Sequence, residues 1–188
     1  MSSKKMSAKK IAYSGLFIAL GMILPYFTGQ IPEIGRMLLP MHIPILLCGF
    51  ICGPFYGMAA GFITPLLRSA ILSMPPMFPT AAAMAFELMA YGGFAGFFFG
   101  KLPQKRGFIY VSLIFAMILG RLVWGGVSIA MYTFTESPFT WQIFINGAFF
   151  TAIPGIILQL IIIPPVVMAL KNMGFVKKSG KRGKIHGV

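Results

Sequence analysis

Three ionisable residues stand inside apolar runs of this sequence, namely Arg68, Glu87 and Arg121. Near the centre of a bilayer such a group costs about 2.5–3.5 kcal/mol or more, so it normally faces a cavity or a partner. One glutamate can balance only one of two arginines, and a guanidinium grips a carboxylate through two parallel hydrogen bonds. The residue types therefore indicate a polar site with surplus positive charge, suited to an anionic ligand.

Other side chains accompany these three at a similar predicted depth, if each helical residue advances by about 1.5 Å. Trp124 follows Arg121 by three positions and shares its helix face. Asn146 lies at a comparable depth on the last predicted helix, and His42 opens the second helix at the outer surface. The predicted substrate-binding site consists of His42, Arg68, Glu87, Arg121, Trp124 and Asn146.

Two interpretations of these residues remain open from the sequence alone. In the first, Glu87 and Arg121 form a structural ion pair that joins two helices, while the long Arg68 side chain extends outward. In the second, the same residues line a pocket that opens to the outer side. The first interpretation needs no ligand, and the second requires one.

The composition places these residues in a membrane. Of 188 residues, 57% are hydrophobic and 10% are charged, whereas a soluble domain carries about 25% charged residues. The bases flank the apolar runs, which is the pattern that orients a membrane protein and not one that reads nucleic acid. We therefore expect a multi-pass protein of the cell membrane, in contact with the lipid bilayer and without a nucleic-acid partner.

Apolar length predicts the number of crossings, since about 20 residues span about 30 Å of hydrocarbon. Gly53–Pro54 divides the apolar stretch 41–72 into two shorter helices. The six predicted spans are Ile11–Phe27, His42–Cys52, Phe55–Leu72, Ala81–Gly100, Phe108–Phe134 and Trp141–Leu170.

Charge decides between six spans and five. With six, every base except Arg36, Arg68 and Arg121 lies on the cytoplasmic side, as the positive-inside bias favours. The sequence thus predicts an all-α membrane protein, a six-transmembrane-helix bundle with both termini cytoplasmic. Residues 1–10 and 171–188 form basic tails, and residues 11–170 form the substrate-binding domain.

Several catalytic and energising chemistries have no residues to support them. The sequence contains no Asp for an intramembrane aspartyl protease, no H-E-x-x-H motif, and no phosphate-binding loop of the G-x-x-x-x-G-K-[ST] type. Cys48 and Cys52 are interpreted as packing residues, because a metal site would need further ligands nearby. We expect no enzyme activity, no metal and no cofactor, and we expect the energy for any transport to come from another subunit.

The chain resembles the substrate-binding S components of energy-coupling factor (ECF) transporters over nearly its whole length. The resemblance rests on the lysine-flanked first helix I-A-Y-S-G-L-F-I-A-L-G and on the stretch L-L-P-M-H-I-P-I-L-L-C-G-F-I-C-G-P-F-Y-G. It also rests on the runs G-F-I-T-P-L-L-R-S and M-P-P-M-F-P-T-A-A-A-M-A-F-E-L. It implies a six-helix fold that captures a small vitamin on the outer side and docks on a transmembrane scaffold subunit with two ATPase subunits.

The resemblance also implies roles for particular residues. The family's A-x-x-x-A docking motif corresponds to Gly15 and Ala19, and Ala12 extends this small-residue face of the first helix. The central motifs resemble pantothenate-type members most, whereas riboflavin, pyridoxine-like and folate-like ligands remain alternatives. A membrane scaffold protein without any ligand is the alternative from a different functional class.

Overall fold

The computed structural model describes residues 8–28, 31–103, 105–132 and 140–175. Within these ranges every regular element is helical and no strand occurs. The helices are α1 (Ala8–Ile23), α2 (Pro32–Leu38), α3 (His42–Cys52), α4 (Pro54–Leu72), α5 (Ala82–Lys101), α6 (Arg106–Tyr132), α7 (Trp141–Ile145) and α8 (Ile153–Asn172). A 3₁₀ turn extends α1 from Leu24 to Thr28, a wide turn with extended backbone at Phe78 covers Met77–Ala81, and a π-helical turn covers Asn146–Phe150.

Five helical segments are long and apolar enough to cross a membrane: Ala8–Phe27, Pro54–Leu72, Met77–Lys101, Arg106–Tyr132 and Ile153–Asn172. The helix predicted at His42–Cys52 has those same bounds, but its 11 residues extend only about 16 Å. Every residue of α3 is buried, so the other helices surround it and separate it from lipid. The all-helical class is therefore confirmed with five candidate spans, and the count of six stays a prediction.

Glycines allow α3, α4 and α5 to pack backbone against backbone. A Cβ atom added at Gly57 would lie 2.5 Å from the carbonyl oxygen of Gly92 and 2.7 Å from Cα of Gly49. A Cβ atom added at Gly96 would lie 2.5 Å from the backbone nitrogen of Pro54. Close approach of this kind gains dispersion contacts, which replace the hydrophobic effect between helices in lipid. The glycine repeats of the sequence thus serve packing within the chain.

Contacts between helix ends show that the bases gather at one end of the bundle, called the basic end. Lys10 Nζ on α1 donates a hydrogen bond of 2.7 Å to the carbonyl oxygen of Cys52, the last residue of α3. Arg106 Nε at the start of α6 lies 3.1 Å from Met168 Sδ near the end of α8. The described bases at this end are Lys9, Lys10, Lys101, Lys105, Arg106 and Lys171.

The segment predicted as a single helix from Trp141 to Leu170 is interrupted in the structure. α7 ends at Ile145, a π-helical turn follows, and α8 begins at Ile153 after the turn at Thr151 and Ala152. Pro154 explains the restart, because proline lacks a backbone N–H and belongs in the first turn of a helix. Only Ile153–Asn172 of this segment is a candidate span.

We predict that Gly57→Ala destabilises the folded bundle. The added methyl group meets the α5 backbone, and overpacking of a tight core costs about 1–3 kcal/mol. The measurement is the midpoint of unfolding in mixed detergent, followed by circular dichroism. Gly100→Ala is the matched control, since a Cβ atom there has no neighbour within 4 Å. Equal midpoints for the two variants would contradict the backbone contact.

Candidate functional site

The site begins on α5, where Glu87 and Tyr91 lie one turn apart and share the face that packs on α3 and α6. α3 supplies His42 from its first turn, and α6 supplies Arg121. The chain thus brings four residues from three neighbouring helices into one group, called the polar cluster: His42, Glu87, Tyr91 and Arg121. Because α3 is surrounded by other helices, the cluster lies inside the bundle.

One carboxylate oxygen organises the cluster. Arg121 Nη1 lies 2.8 Å from Glu87 Oε1, and His42 Nε2 lies 3.4 Å from the same oxygen. His42, Glu87 and Arg121 are only 1%, 2% and 5% exposed. At this burial the Glu87 carboxylate and the Arg121 guanidinium stabilise each other, since an unpaired ion inside a bundle would cost several kcal/mol. The ion pair is therefore a structural element, and the site is closed in this structure.

Tyr91 completes the cluster by packing between α3 and α6. Its ring meets the His42 ring edge to face with centroids 5.1 Å apart, and its hydroxyl interacts with the Arg121 guanidinium. Gly120 makes room for the ring, because a Cβ atom there would lie 2.5 Å from Tyr91 Cδ2. The Gly120-Arg121 pair on α6 thus positions the aromatic ring and the cation together.

Several buried polar atoms, in the cluster and elsewhere on α6 and α8, have no hydrogen-bond partner within the described residues. They include Arg121 Nε and Nη2, His42 Nδ1, Ser128 Oγ and both polar atoms of the Gln159 amide. Ser128 follows Arg121 by seven positions, which is two helical turns on one face. Buried polar groups in native proteins are almost always bonded, so these atoms indicate a site for water or a polar ligand.

Gln159 is a buried amide on α8, the helix that packs on α2 and α3. Gly155, one turn earlier, packs on the end of α2, where an added Cβ atom would lie 2.6 Å from the carbonyl oxygen of Met37. The side chain is fully buried. Because an amide can both donate and accept hydrogen bonds, Gln159 is a candidate to bind donor and acceptor groups of a ligand.

The structure separates Arg68 from the contacts of the cluster. Its guanidinium donates a hydrogen bond to the carbonyl oxygen of Met22 and lies 5.3 Å from the centroid of the Tyr26 ring. Arg68 is 3% exposed, so it does not extend outward to the membrane surface. Its contacts instead join α4 to the end of α1. Arg121 is thus the arginine that shares contacts with Glu87.

Trp124 and Asn146 lie toward the end of the bundle opposite the basic end. The Trp124 ring stacks on Phe144 with centroids 6.1 Å apart, and Phe144 also contacts Trp141 at 5.3 Å. Asn146 is exposed. Phe144 of α7 therefore packs against α6 one turn beyond Arg121.

Of the residues predicted from the sequence, the structure brings His42, Glu87 and Arg121 together; Tyr91, Ser128 and Gln159 were not among those predicted. Two signals were available: Tyr91 follows Glu87 by one helical turn, and Gln159 is a lone amide within I-I-L-Q-L-I-I-I. The position of His42 also differs from the prediction. The sequence predicts it at the outer surface, but it is buried, because the other helices enclose the whole of α3 from its first residue.

We predict strong coupling between Glu87 and Arg121 in a double-mutant cycle. Either Glu87→Gln or Arg121→Gln alone removes one partner of a buried pair and should cost about 3–5 kcal/mol of unfolding free energy. The double variant should cost clearly less than the sum of the two. Gln142→Ala, at an exposed position, is the control and should change stability by less than about 0.5 kcal/mol. Additive losses would contradict the pair.

Comparison with known proteins agrees with this architecture. The family model of the ECF transporter substrate-specific component matches residues 9–167, which include all five candidate spans in large part and the whole polar cluster. No curated protein matches the chain. The family and the apolar helices together make the chain a multi-pass membrane protein and a transport subunit, not an enzyme. The chain belongs to the family of substrate-specific components of ECF transporters.

Proposed function

We propose that the chain captures a small vitamin with a carboxylate group, best represented by pantothenate, at the polar cluster. The observation that carries this proposal is the Arg121 guanidinium, which is buried and leaves Nε and Nη2 without hydrogen-bond partners within the described residues. These two nitrogens lie side by side and match the two oxygens of a carboxylate. Family membership supports a vitamin-type substrate.

Each polar side chain then has a defined role toward the ligand. Arg121 holds the carboxylate, a role that the sequence left open between Arg68 and Arg121. Arg68 is less suited because its guanidinium binds the carbonyl oxygen of Met22. Glu87 and Asn146 take hydroxyl or amide groups, and Trp124 packs on the apolar body. His42 and Gln159 supply further donors and acceptors from α3 and α8.

Capture requires the closed site to open. Phe144 of α7 stacks on Trp124, one turn beyond Arg121, and a π-helical turn followed by the turn at Thr151 and Ala152 separates α7 from α8. We propose that α7 moves aside for the ligand, together with the connections 28–40 and 73–79. Closure over the ligand then removes water, which strengthens the charged hydrogen bonds inside.

We further propose six crossings of the cell membrane with the basic end in the cytoplasm. α3 lies antiparallel to α1, since Lys10 near the start of α1 contacts the end of α3. α3 is short because its neighbours, and not lipid, cover its backbone. The positive-inside bias assigns the basic end to the cytoplasm, so the polar cluster lies toward the outer side.

The proposed partners are a transmembrane scaffold subunit and two ATPase subunits. α1 is at the edge of the bundle, and its small residues Ala12, Gly15 and Ala19 are all exposed. A Cβ atom added at Gly15 would have no neighbour within 4 Å among the described residues, so there is room beside this position. Such a face suits close packing with a helix of the scaffold subunit.

The 2.8 Å ion pair also supports a second candidate function, a membrane scaffold protein that binds no ligand. In that case Glu87 and Arg121 only stabilise the bundle. Mass spectrometry of small molecules retained by the purified protein separates the two: a retained vitamin supports capture, and its absence at saturating added vitamin supports the scaffold protein.

We predict that Arg121→Gln weakens pantothenate binding by about 10–100-fold, because a hydrogen bond to a charged group contributes about 1.5–3 kcal/mol. Isothermal titration of the purified protein measures this change. Arg68→Gln is the matched control, since its contacts are with α1 and its extension, and it should bind as the unmodified protein does. Parallel titrations with riboflavin, pyridoxine and folate test the other vitamins. Unchanged binding in Arg121→Gln would refute the carboxylate role.

We predict that a cysteine at Lys105 reacts with a membrane-impermeant maleimide only after cells are permeabilised. The matched position is Ser73, which ends α4 at the opposite end and should react in intact cells. Both variants are made after Cys48→Ala and Cys52→Ala, so that no native thiol contributes. Labelling at position 105 from outside would reverse the proposed orientation.

A further inference from the structure

An open groove runs along the bundle surface between α6 and α8, on the side of the basic end. Its volume is about 760 Å³, within the range of about 300–1,000 Å³ that small-molecule sites occupy. Its lining comes only from α6 and α8 and includes Arg106, Tyr110, Ile157, Ile161, Pro165 and Asn172. The groove is separate from the polar cluster, none of whose residues lines it.

The groove is apolar along most of its length and polar at the basic end. Apolar side chains such as Ile157 and Ile161 line the part deep in the membrane, and both are exposed. Arg106 and Asn172 line the part at the basic end, where a span meets the membrane surface. From Ile157 to Asn172 the groove follows about 22 Å of helix, more than the roughly 15 Å thickness of one leaflet's hydrocarbon.

The positive charge at the mouth has no acidic counterpart in the neighbouring sequence. The acids of the chain are Glu33, Glu87 and Glu136, of which Glu87 is buried against Arg121. Arg106 is exposed, and its Nε lies near Met168 Sδ, a weak acceptor. A guanidinium in this state attracts a phosphate at the membrane surface.

We propose that the groove binds one anionic phospholipid from the leaflet at the basic end. The phosphate lies against Arg106 and Asn172, and one acyl chain follows Tyr110 toward Ile157. Charge complementarity favours this occupant over a second copy of the chain, because the copy would bring the same basic surface to the same place. A zwitterionic lipid fits the apolar part equally well but lacks the net charge that Arg106 selects.

The test is native mass spectrometry of the purified full chain, titrated with phosphatidylglycerol and separately with phosphatidylcholine. We expect at least a tenfold preference for phosphatidylglycerol. Arg106→Glu should remove this preference, and Ala169→Phe should reduce retention of both lipids about tenfold by filling the groove. Both positions are exposed, so the variants should fold.

Matched controls carry the same changes away from the groove. Lys101→Glu reverses a charge at the basic end on α5, and Ala130→Phe adds a ring at an exposed position near the far end of α6. Both should retain phosphatidylglycerol as the unmodified chain does. Equal retention of the two lipids, or equal losses in variants and controls, would overturn the proposal. So would loss of the bound lipid when the scaffold subunit assembles with the chain, since a protein helix would then occupy the groove.

Discussion

The architecture depends on one buried carboxylate, Glu87, which must be balanced where hydrocarbon surrounds the bundle. Arg121 provides the opposite charge at 2.8 Å, and His42 approaches the same oxygen from α3. Because a separated ion would be costly at this depth, the pair holds α5 and α6 in register and positions α3 beside them. Within the described residues the same pair leaves Nε and Nη2 of the guanidinium without hydrogen-bond partners, which is the basis of the proposed anion site.

Backbone packing makes this arrangement possible. Glycines on α3, α4 and α5 let these helices approach until backbone atoms touch, and α3 is thereby enclosed without lipid contact. An enclosed helix can be short, since its ends meet protein and not the membrane surface. α3 therefore begins at the level of Glu87, so His42 in its first turn lies in the interior of the bundle. A longer α3 would carry this histidine past the cluster.

The two ends of the bundle have different characters that follow from their residues. At the basic end, lysines and arginines mark the membrane surface, and α6 and α8 separate to leave an apolar groove with a cationic mouth. At the other end, Phe144 of α7 packs between Trp141 and Trp124, one turn of α6 beyond Arg121. The first arrangement suits a lipid that stays in place, whereas the second suits a ligand that enters and leaves.

The sequence by itself determined the membrane setting and the bounds of α3, because hydrophobic length acts locally, and the cost of a lone charge singled out Glu87 and Arg121. It also indicated the family through motifs of its central region. Only the tertiary structure decided that Glu87 pairs with Arg121, that Arg68 joins α1, that Tyr91 belongs to the cluster, and that α7 and α8 are separate helices. Those outcomes depend on which helix faces meet. Hydrophobic periodicity predicts poorly which faces meet in a membrane, where lipid-facing and protein-facing surfaces are both apolar.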